Sequence, residues 1–333
     1  MISYQTKMSW EGGVGLHDTE IPTAKKGQVL IKLNYAGLNR RDYKIKQGWY
    51  LKNYTFGSIL GSDGSGKVVE VKSKLDSDWL GKDVIINPNI LWGDNDLVPS
   101  PEYTILGMPN NGTLAEYVVV GIDRIHGRPN HLSMIESAAL PLASLTAYRA
   151  IVKKAQLLPK QNILITGAGG GVAQMAIKFS LGLGANVFVT SGHESKIERV
   201  KNWGVVDGVN YKSNNWDKEL LGKSGAFDVV LDSSGSDQIN TLLKLLKPNG
   251  KYVFYGATNG SPKKFDLSKI YYNQLQIVGT LMGSDSDFSN MLDFVSQNGI
   301  KPEIEKVFPI KEIDHAFKIM EEQSQFGKIV IQL

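Results

Sequence analysis

The run Gly167-Ala168-Gly169-Gly170-Gly171 holds the densest chemistry in this chain. Glycines let a backbone close on a phosphate, and the helical pattern that follows (Val172, Ala173, Gln174, Met175, Ala176, Ile177) offers free N–H groups and a partial positive charge. Gly167, Gly170, Gly171 and Val172 are therefore candidate contacts for a dinucleotide pyrophosphate. A site that holds a ribose 2′-hydroxyl usually places Asp or Glu about 20 residues further on. Here that stretch reads Thr190-Ser191-Gly192-His193-Glu194-Ser195-Lys196, with no carboxylate at the tip itself. Ser191 and Lys196 suit the extra charge of a 2′-phosphate, which makes NADPH the expected cofactor. Glu194, two or three residues late for the acidic position, is the detail that argues for NADH instead.

Metal and thiolate chemistry have little material. Cysteine is absent, which removes disulfides, thiolate nucleophiles and sulfur-rich zinc sites. The histidines (His17, His126, His131, His193, His315) are scattered, and the one close pair, His126 and His131, lies in a Gly/Pro segment unlike a ligand helix.

The elements that must position these residues are legible. Ile163-Leu164-Ile165-Thr166 reads as a strand before the glycines, and Asn186-Val187-Phe188-Val189-Thr190 as a second one after Gly184, a good helix stop. Strands at 227–232, 251–255 and 276–281 alternate with helices at 196–203 and 239–246, the pattern of a parallel sheet covered on both faces. Earlier segments (29–35, 66–71 and 83–86) are short β runs. The stretch from Asn87 to Gly112 carries four prolines and Trp92 with little periodicity, and loops of that length usually have a role. Ser133-Met134-Ile135-Glu136 is a capping box opening a helix, and a second helical pattern runs from Leu145 to Lys154. After Ser284 come a helix, a strand at 307–309, another helix and a closing strand at 328–332. The 333 residues suggest two domains.

Bulk properties are ordinary. Hydrophobic residues make up 42% and charged ones 21%, so a sizeable core can form, and a net charge of +4 from scattered lysines points to neither nucleic acid nor membrane. No apolar run approaches the roughly 20 residues of a membrane span, and Met1–Gln5 lacks the basic and apolar regions of a secretion signal. A cytoplasmic protein is expected.

Taken together, several segments resemble the medium-chain dehydrogenase/reductase superfamily, on its zinc-independent, quinone oxidoreductase-like side. They are Ala36-Gly37-Leu38-Asn39-Arg40-Arg41-Asp42, Gly48-Trp49-Tyr50, Leu60-Gly61-Ser62-Asp63-Gly64-Ser65-Gly66, Gly112-Thr113-Leu114-Ala115-Glu116-Tyr117-Val118, Leu140–Ala147, the glycine motif, Val209-Asn210-Tyr211, Phe227–Gly235 and Gly327-Lys328-Ile329-Val330. The resemblance implies an α/β fold: a doubly wound Rossmann domain over 129–283 and a GroES-like, β-barrel-rich catalytic domain over 1–128 with 284–333, with the cofactor in the cleft between them. It implies that Asn39 and Tyr50 meet the substrate, with Thr146, Asp42 and Trp92 nearby. It also implies cofactor contacts at Tyr211, Ser234, Gly256, Leu281 and Lys328. Zinc-dependent relatives carry cysteine and histidine ligands where this chain has Asn39 and Ser62. A third ligand is missing near Ala143–Ser144, and the 87–112 segment keeps the structural-zinc lobe without its cysteines.

Without a metal, hydride transfer needs an acceptor that is already polarised, such as a quinone or an α,β-unsaturated carbonyl. The oxygen that gathers charge must then be stabilised and protonated, and Tyr50 is the expected donor. Two other readings stay open: a zinc-type alcohol dehydrogenase, and a non-catalytic NADPH-binding sensor or structural protein. The 276–281 strand, as an uncovered sheet edge, suggests a homodimer.

Overall fold

The computed structural model describes residues 1–6, 13–49, 55–72 and 74–333. They form two compact units, Met1–Ala143 with Gly283–Leu333, and Ser144–Met282. The segment 129–143, expected with the second domain, belongs to the first unit. Its helix Met134–Ala139 has the predicted capping box: Ser133 Oγ accepts from Glu136 N at 3.2 Å, and Glu136 Oε2 accepts from Ser133 N at 2.7 Å. The helix packs on strands Gln28–Gly37 and Asp63–Val71, where the small side chains of Ala138 and Ala139 are buried with Val330. Small residues let helix and sheet approach closely, and that contact settles which unit the helix joins.

The second unit is a six-stranded parallel sheet. Its strands are β1 (Asn162–Thr166), β2 (Asn186–Ser191), β3 (Asp207–Asn210), β4 (Phe227–Asp232), β5 (Leu246–Phe254) and β6 (Gln276–Gly279). They lie in the order β3-β2-β1-β4-β5-β6. The direction of strand addition reverses between β1 and β4, and the carboxyl edge at such a reversal is where doubly wound sheets bind ligands. Ile163–Ile165 and Val187–Val189 are buried, as expected of strands covered on both faces. Helix α1 (Gly171–Gly182) ends at Leu183, and Gly184 takes the left-handed conformation (φ +75°) that stops it. Strand β5 starts earlier than expected, because Leu246 already pairs with Phe227 before an irregularity. Strand β6 is shorter than expected and leaves Leu281 beyond its end. The 145–154 pattern splits between the helix Pro141–Tyr148 and a widened, π-helical stretch Arg149–Ala155.

In the first unit the strand Gln28–Gly37 is the spine of a seven-stranded sheet. It pairs antiparallel with Asp63–Val71, with Tyr117–Gly121 and with the C-terminal strand Lys328–Gln332. Val29, Ile31 and Leu33 alternate into a core with Val84, Ile86, Val118 and Val120. Ile304–Pro309 forms one edge, where the missing N–H of Pro309 is tolerated. The chain's end thus returns beside its first third, and Lys328 enters the sheet next to the Leu38–Asn39 turn. Among the described residues, no helix is long and apolar enough to cross a membrane.

Candidate functional site

The carboxyl edge of the β1–β6 sheet holds the glycine motif as a strand–turn–helix junction. Gly167 sits at φ +73° with open space where a side chain would be, a conformation that L side chains rarely adopt. The Gly167 and Ala168 amides both donate to Thr190 O at 3.0 Å, and Gly170 N donates to Gly167 O at 2.9 Å, so the loop folds back against β2. Gly170 is the N-cap of α1, followed by Gly171 and Val172 in its first turn. The first N–H groups of a helix lack intrahelical acceptors, and no acidic side chain occupies this first turn. Ala173, which closes the motif, is buried.

The β2 tip lies beside the end of β3. Tyr211 N donates to Ser191 O at 3.1 Å, while Ser191 Oγ accepts from His193 N at 3.2 Å. Ser191 is buried, His193 to Ser195 are exposed, and Lys196 is half-buried on the first turns of α2 (Glu194–Lys201). A Cβ on Gly192 would lie 2.8 Å from Tyr211 Oη and 3.0 Å from Lys212 Cε, so glycine here makes room for two neighbouring side chains.

Behind this edge sits a polar hub that the sequence reading missed. Asp232, at the end of β4, is fully buried. Its Oδ1 accepts from Thr166 Oγ1 (2.6 Å), Ser234 N (3.0 Å) and Ser234 Oγ (2.7 Å), and its Oδ2 from Gly235 N (3.0 Å) and Tyr252 Oη (2.7 Å). One carboxylate thereby ties the ends of β1, β4 and β5 into a rigid floor. Burial and the neighbouring Asp232 charge push the Tyr252 phenol far above its ordinary range, so it stays a donor. Burial also lifts Tyr255, just past β5, to about 12, opposed by its hydrogen bond to Ser233. The available signal was an apolar strand ending on an acid. Ser234 serves this hub, and Gly256 packs 3.5 Å (measured from an added Cβ) from Ser233 O.

A second polar cluster is buried in the first unit. The Lys328 ammonium donates to Leu38 O (2.8 Å), Asn39 Oδ1 (2.7 Å) and Asp63 Oδ2 (3.0 Å), which uses all three of its hydrogens. Asn39 Nδ2 donates to Asp63 Oδ2 at 2.8 Å, and Asp63 Oδ1 accepts from Leu142 N at 2.8 Å. Asp42 Oδ2 caps the helix Arg40–Lys46 by accepting from Asn39 N at 2.8 Å, while its buried Oδ1 has no hydrogen-bond partner among the described residues. Burial pushes the Asp42 carboxyl up to about 6, with the Arg41 charge opposing. Ser62 Oγ turns away to Leu106 O at 2.7 Å. Asn39 and Lys328 are thus committed to each other and to Asp63, a hub whose residue lay in a quoted motif without an assigned role.

Of the remaining expected residues, Trp92 belongs to the first unit, and Thr146 and Leu281 to the second. Trp92 is buried inside its own lobe, where Nε1 donates to Asn95 O at 3.0 Å and the ring meets Tyr103 edge-on at 5.0 Å. Tyr103 Oη donates to Asn89 Oδ1 (2.9 Å), so hydrogen bonds and ring packing order this lobe. Thr146 Oγ1 points to Met282 Sδ at 3.7 Å. Leu281 is exposed, and Tyr50 lies outside the described residues.

Known proteins give this geometry a context. Family models described as "Alcohol dehydrogenase GroES-like domain" and "Zinc-binding dehydrogenase" match residues 25–130 and 171–297. Zinc-type alcohol dehydrogenase-like protein YogA of Leptosphaeria maculans is 35% identical over 94% of this chain and 92% of its own length. Quinone oxidoreductase-like protein 2 of Bos taurus is 25% identical over 92% of this chain and 85% of its own. A crystal structure of an NAD-dependent alcohol dehydrogenase superposes with a TM-score of 0.92 at 31% identity, covering 100% of both chains.

The zinc in those descriptions does not fit the residues present. Zinc takes cysteine, histidine or carboxylate ligands, and the corresponding positions are an amide and a hydroxyl. Asn39 Oδ1 and Asp63 Oδ2 both already accept from the Lys328 ammonium. Among the described residues, no group of three or more His, Cys, Asp and Glu is placed to hold a metal ion. With a GroES-like unit, a Rossmann unit and a relative of this identity along nearly its whole length, the chain belongs to the medium-chain dehydrogenase/reductase superfamily.

Proposed function

We propose that this oxidoreductase uses NADPH, needs no metal, and reduces a quinone or an α,β-unsaturated carbonyl. The observation that carries the reading is the Lys328–Asn39–Asp63 cluster, in which an internal ammonium holds the oxygens beside the ligand-like positions. Without a bound Lewis acid, an acceptor that conjugation already polarises is favoured, because hydride can add to carbon while the charge gathers on an oxygen that hydrogen-bond donors stabilise. The nicotinamide cofactor supplies that hydride when bound. Gly167, Gly170, Gly171 and Val172 would hold the pyrophosphate, with Ser191, Lys196 and Tyr211 at the adenosine end. The Asp232 hub keeps the carboxyl edge rigid, so these amides need not reorganise on binding. Asn39 is engaged at both ends of its amide, which leaves Tyr50 as the proposed donor to the developing oxyanion.

The names of these relatives favour alcohol oxidation, in one case with NAD, and the donor set argues against the zinc-dependent form of that chemistry. The test is a screen of NADPH consumption over quinones, enones and aldehydes, with metal analysis of the same sample. Turnover of quinones or enones, unchanged by chelator, is expected. Stoichiometric zinc lost together with activity would return the protein to the alcohol dehydrogenases. Tight NADPH binding with no acceptor turned over would make it a sensor or structural protein.

We also propose a homodimer joined through β6. That strand is a sheet edge, and Tyr271, Tyr272 and Leu281 around it are 70%, 85% and 49% exposed. A monomer mass by light scattering at micromolar concentration would count against it.

A further inference from the structure

The end of β3 brings a lysine to the β2 tip that the sequence pattern did not single out. Asn210 closes β3 opposite Ser191, and its Oδ1 accepts from Lys212 N at 3.0 Å while its main-chain oxygen accepts from Ser213 N at 3.0 Å. This side-chain-to-backbone turn fixes the direction in which Lys212 leaves the sheet. Its stem runs over Gly192, where Cε would stand 3.0 Å from an added Cβ, next to Tyr211 Oη at 2.8 Å. The residue is exposed, and its ammonium has no hydrogen-bond or ion-pair partner among the described residues. A side chain held across a glycine with its charge unspent is placed for an anion at that tip. A phosphate monoester carries about −1.5 to −2 charges at pH 7, more than the single cation of Lys196 matches.

We propose that Lys212 determines cofactor specificity by contacting the 2′-phosphate of NADPH over Gly192. The inference rests on the NADPH reading above and adds the residue that completes it. Gly192 then has a definite part, since any larger residue displaces both Tyr211 and Lys212.

The experiment is calorimetric titration of wild type, Lys212→Met and Gly192→Ala with NADPH, NADH, adenosine 2′,5′-bisphosphate and adenosine 5′-monophosphate. Lys212→Met should weaken NADPH and the bisphosphate about five- to tenfold and leave the 5′-monophosphate within about twofold, a size typical of one charge-assisted contact at a partly exposed site. Gly192→Ala should narrow the NADPH-to-NADH ratio although the lysine is retained. If wild type binds NADPH no tighter than NADH, both the NADPH reading and the role of Lys212 fall. If wild type prefers NADPH and Lys212→Met keeps the whole preference, the reading stands and this inference is overturned. Equal losses for bisphosphate and monophosphate would also overturn it, because the contact would then be to the adenosine.

Discussion

The carboxyl edge of the Rossmann sheet and the buried cluster around Lys328 contain similar chemistry in opposite states. At the edge, Gly167 is open, and among the described residues the first turn of α1 presents amides without acceptors and the Lys212 ammonium has no partner. In the cluster, Lys328, Asn39 and Asp63 consume one another's hydrogen bonds in the interior. Unsatisfied polar groups persist where solvent or a ligand completes them, whereas buried ones must find partners within the protein. The family resemblance implies that Asn39 and Lys328 meet substrate and cofactor; in the fold both are buried and hydrogen-bonded to each other and to Asp63.

The largest expected effect probes how firmly the cluster is closed. Lys328→Met leaves Asp63 buried without its cation, which should cost about 3–5 kcal/mol of stability. Urea unfolding of wild type, Lys328→Met and Lys328→Arg measures it, with arginine recovering part of the loss. A change under about 1 kcal/mol would mean that the cluster is loosely held and the contrast with the edge is false.

Tyr50→Phe asks whether the reaction relies on a donor apart from the committed Asn39. Losing one oxyanion donor typically costs about 2.7–4 kcal/mol, or roughly a hundred- to thousand-fold in rate. kcat and kcat/KM on an enone should fall together with KM nearly unchanged, and the loss on a quinone should be smaller. Full kcat in the variant would reduce Tyr50 to a wall residue.

Asp42 sharpens the contrast through pH. Burial lifts its carboxyl from an ordinary 3.8 to about 6, so the folded protein holds this proton more tightly than the unfolded chain. Its contribution to stability is full below about pH 3.8 and is lost as pH rises through about 6, a swing of order 3 kcal/mol at most. Asp42→Asn removes that titration, so wild type should gain on the variant between pH 7.5 and pH 5. A stability difference that is flat over this window would show that the carboxyl is solvated.

At the open edge the effect is smallest. NADPH should bind at least about tenfold more tightly than NADH, roughly 1.4 kcal/mol, and Lys196→Ala should narrow the gap mainly by weakening NADPH. Equal affinities in the wild type would remove the electrostatic reading of the strand tip.

Legibility followed the range of the forces involved. The β1–α1–β2 unit, the Ser133 capping box and the stop at Gly184 could be read because each depends on residues a few positions apart. Periodicity and turn chemistry encode such contacts directly. The same holds for the glycine motif, whose function is a property of its own backbone. The extra length of β5, the unit to which the helix Met134–Ala139 belongs and the burial of Trp92 depend on packing against distant segments. Asp232 collects donors from Thr166, Ser234, Gly235 and Tyr252, and Lys328 reaches Asp63 across 265 positions of the chain. No local pattern records that an acid will be buried, or that the Lys328 ammonium will close on Asn39 and Asp63. The sequence by itself determined the two kinds of domain, the nucleotide-binding turn and the lack of zinc-ligand residue types at the matching positions. Tertiary structure alone decided which polar residues are spent inside the fold and which stay open to a ligand, because desolvation is imposed by neighbours that only folding brings together.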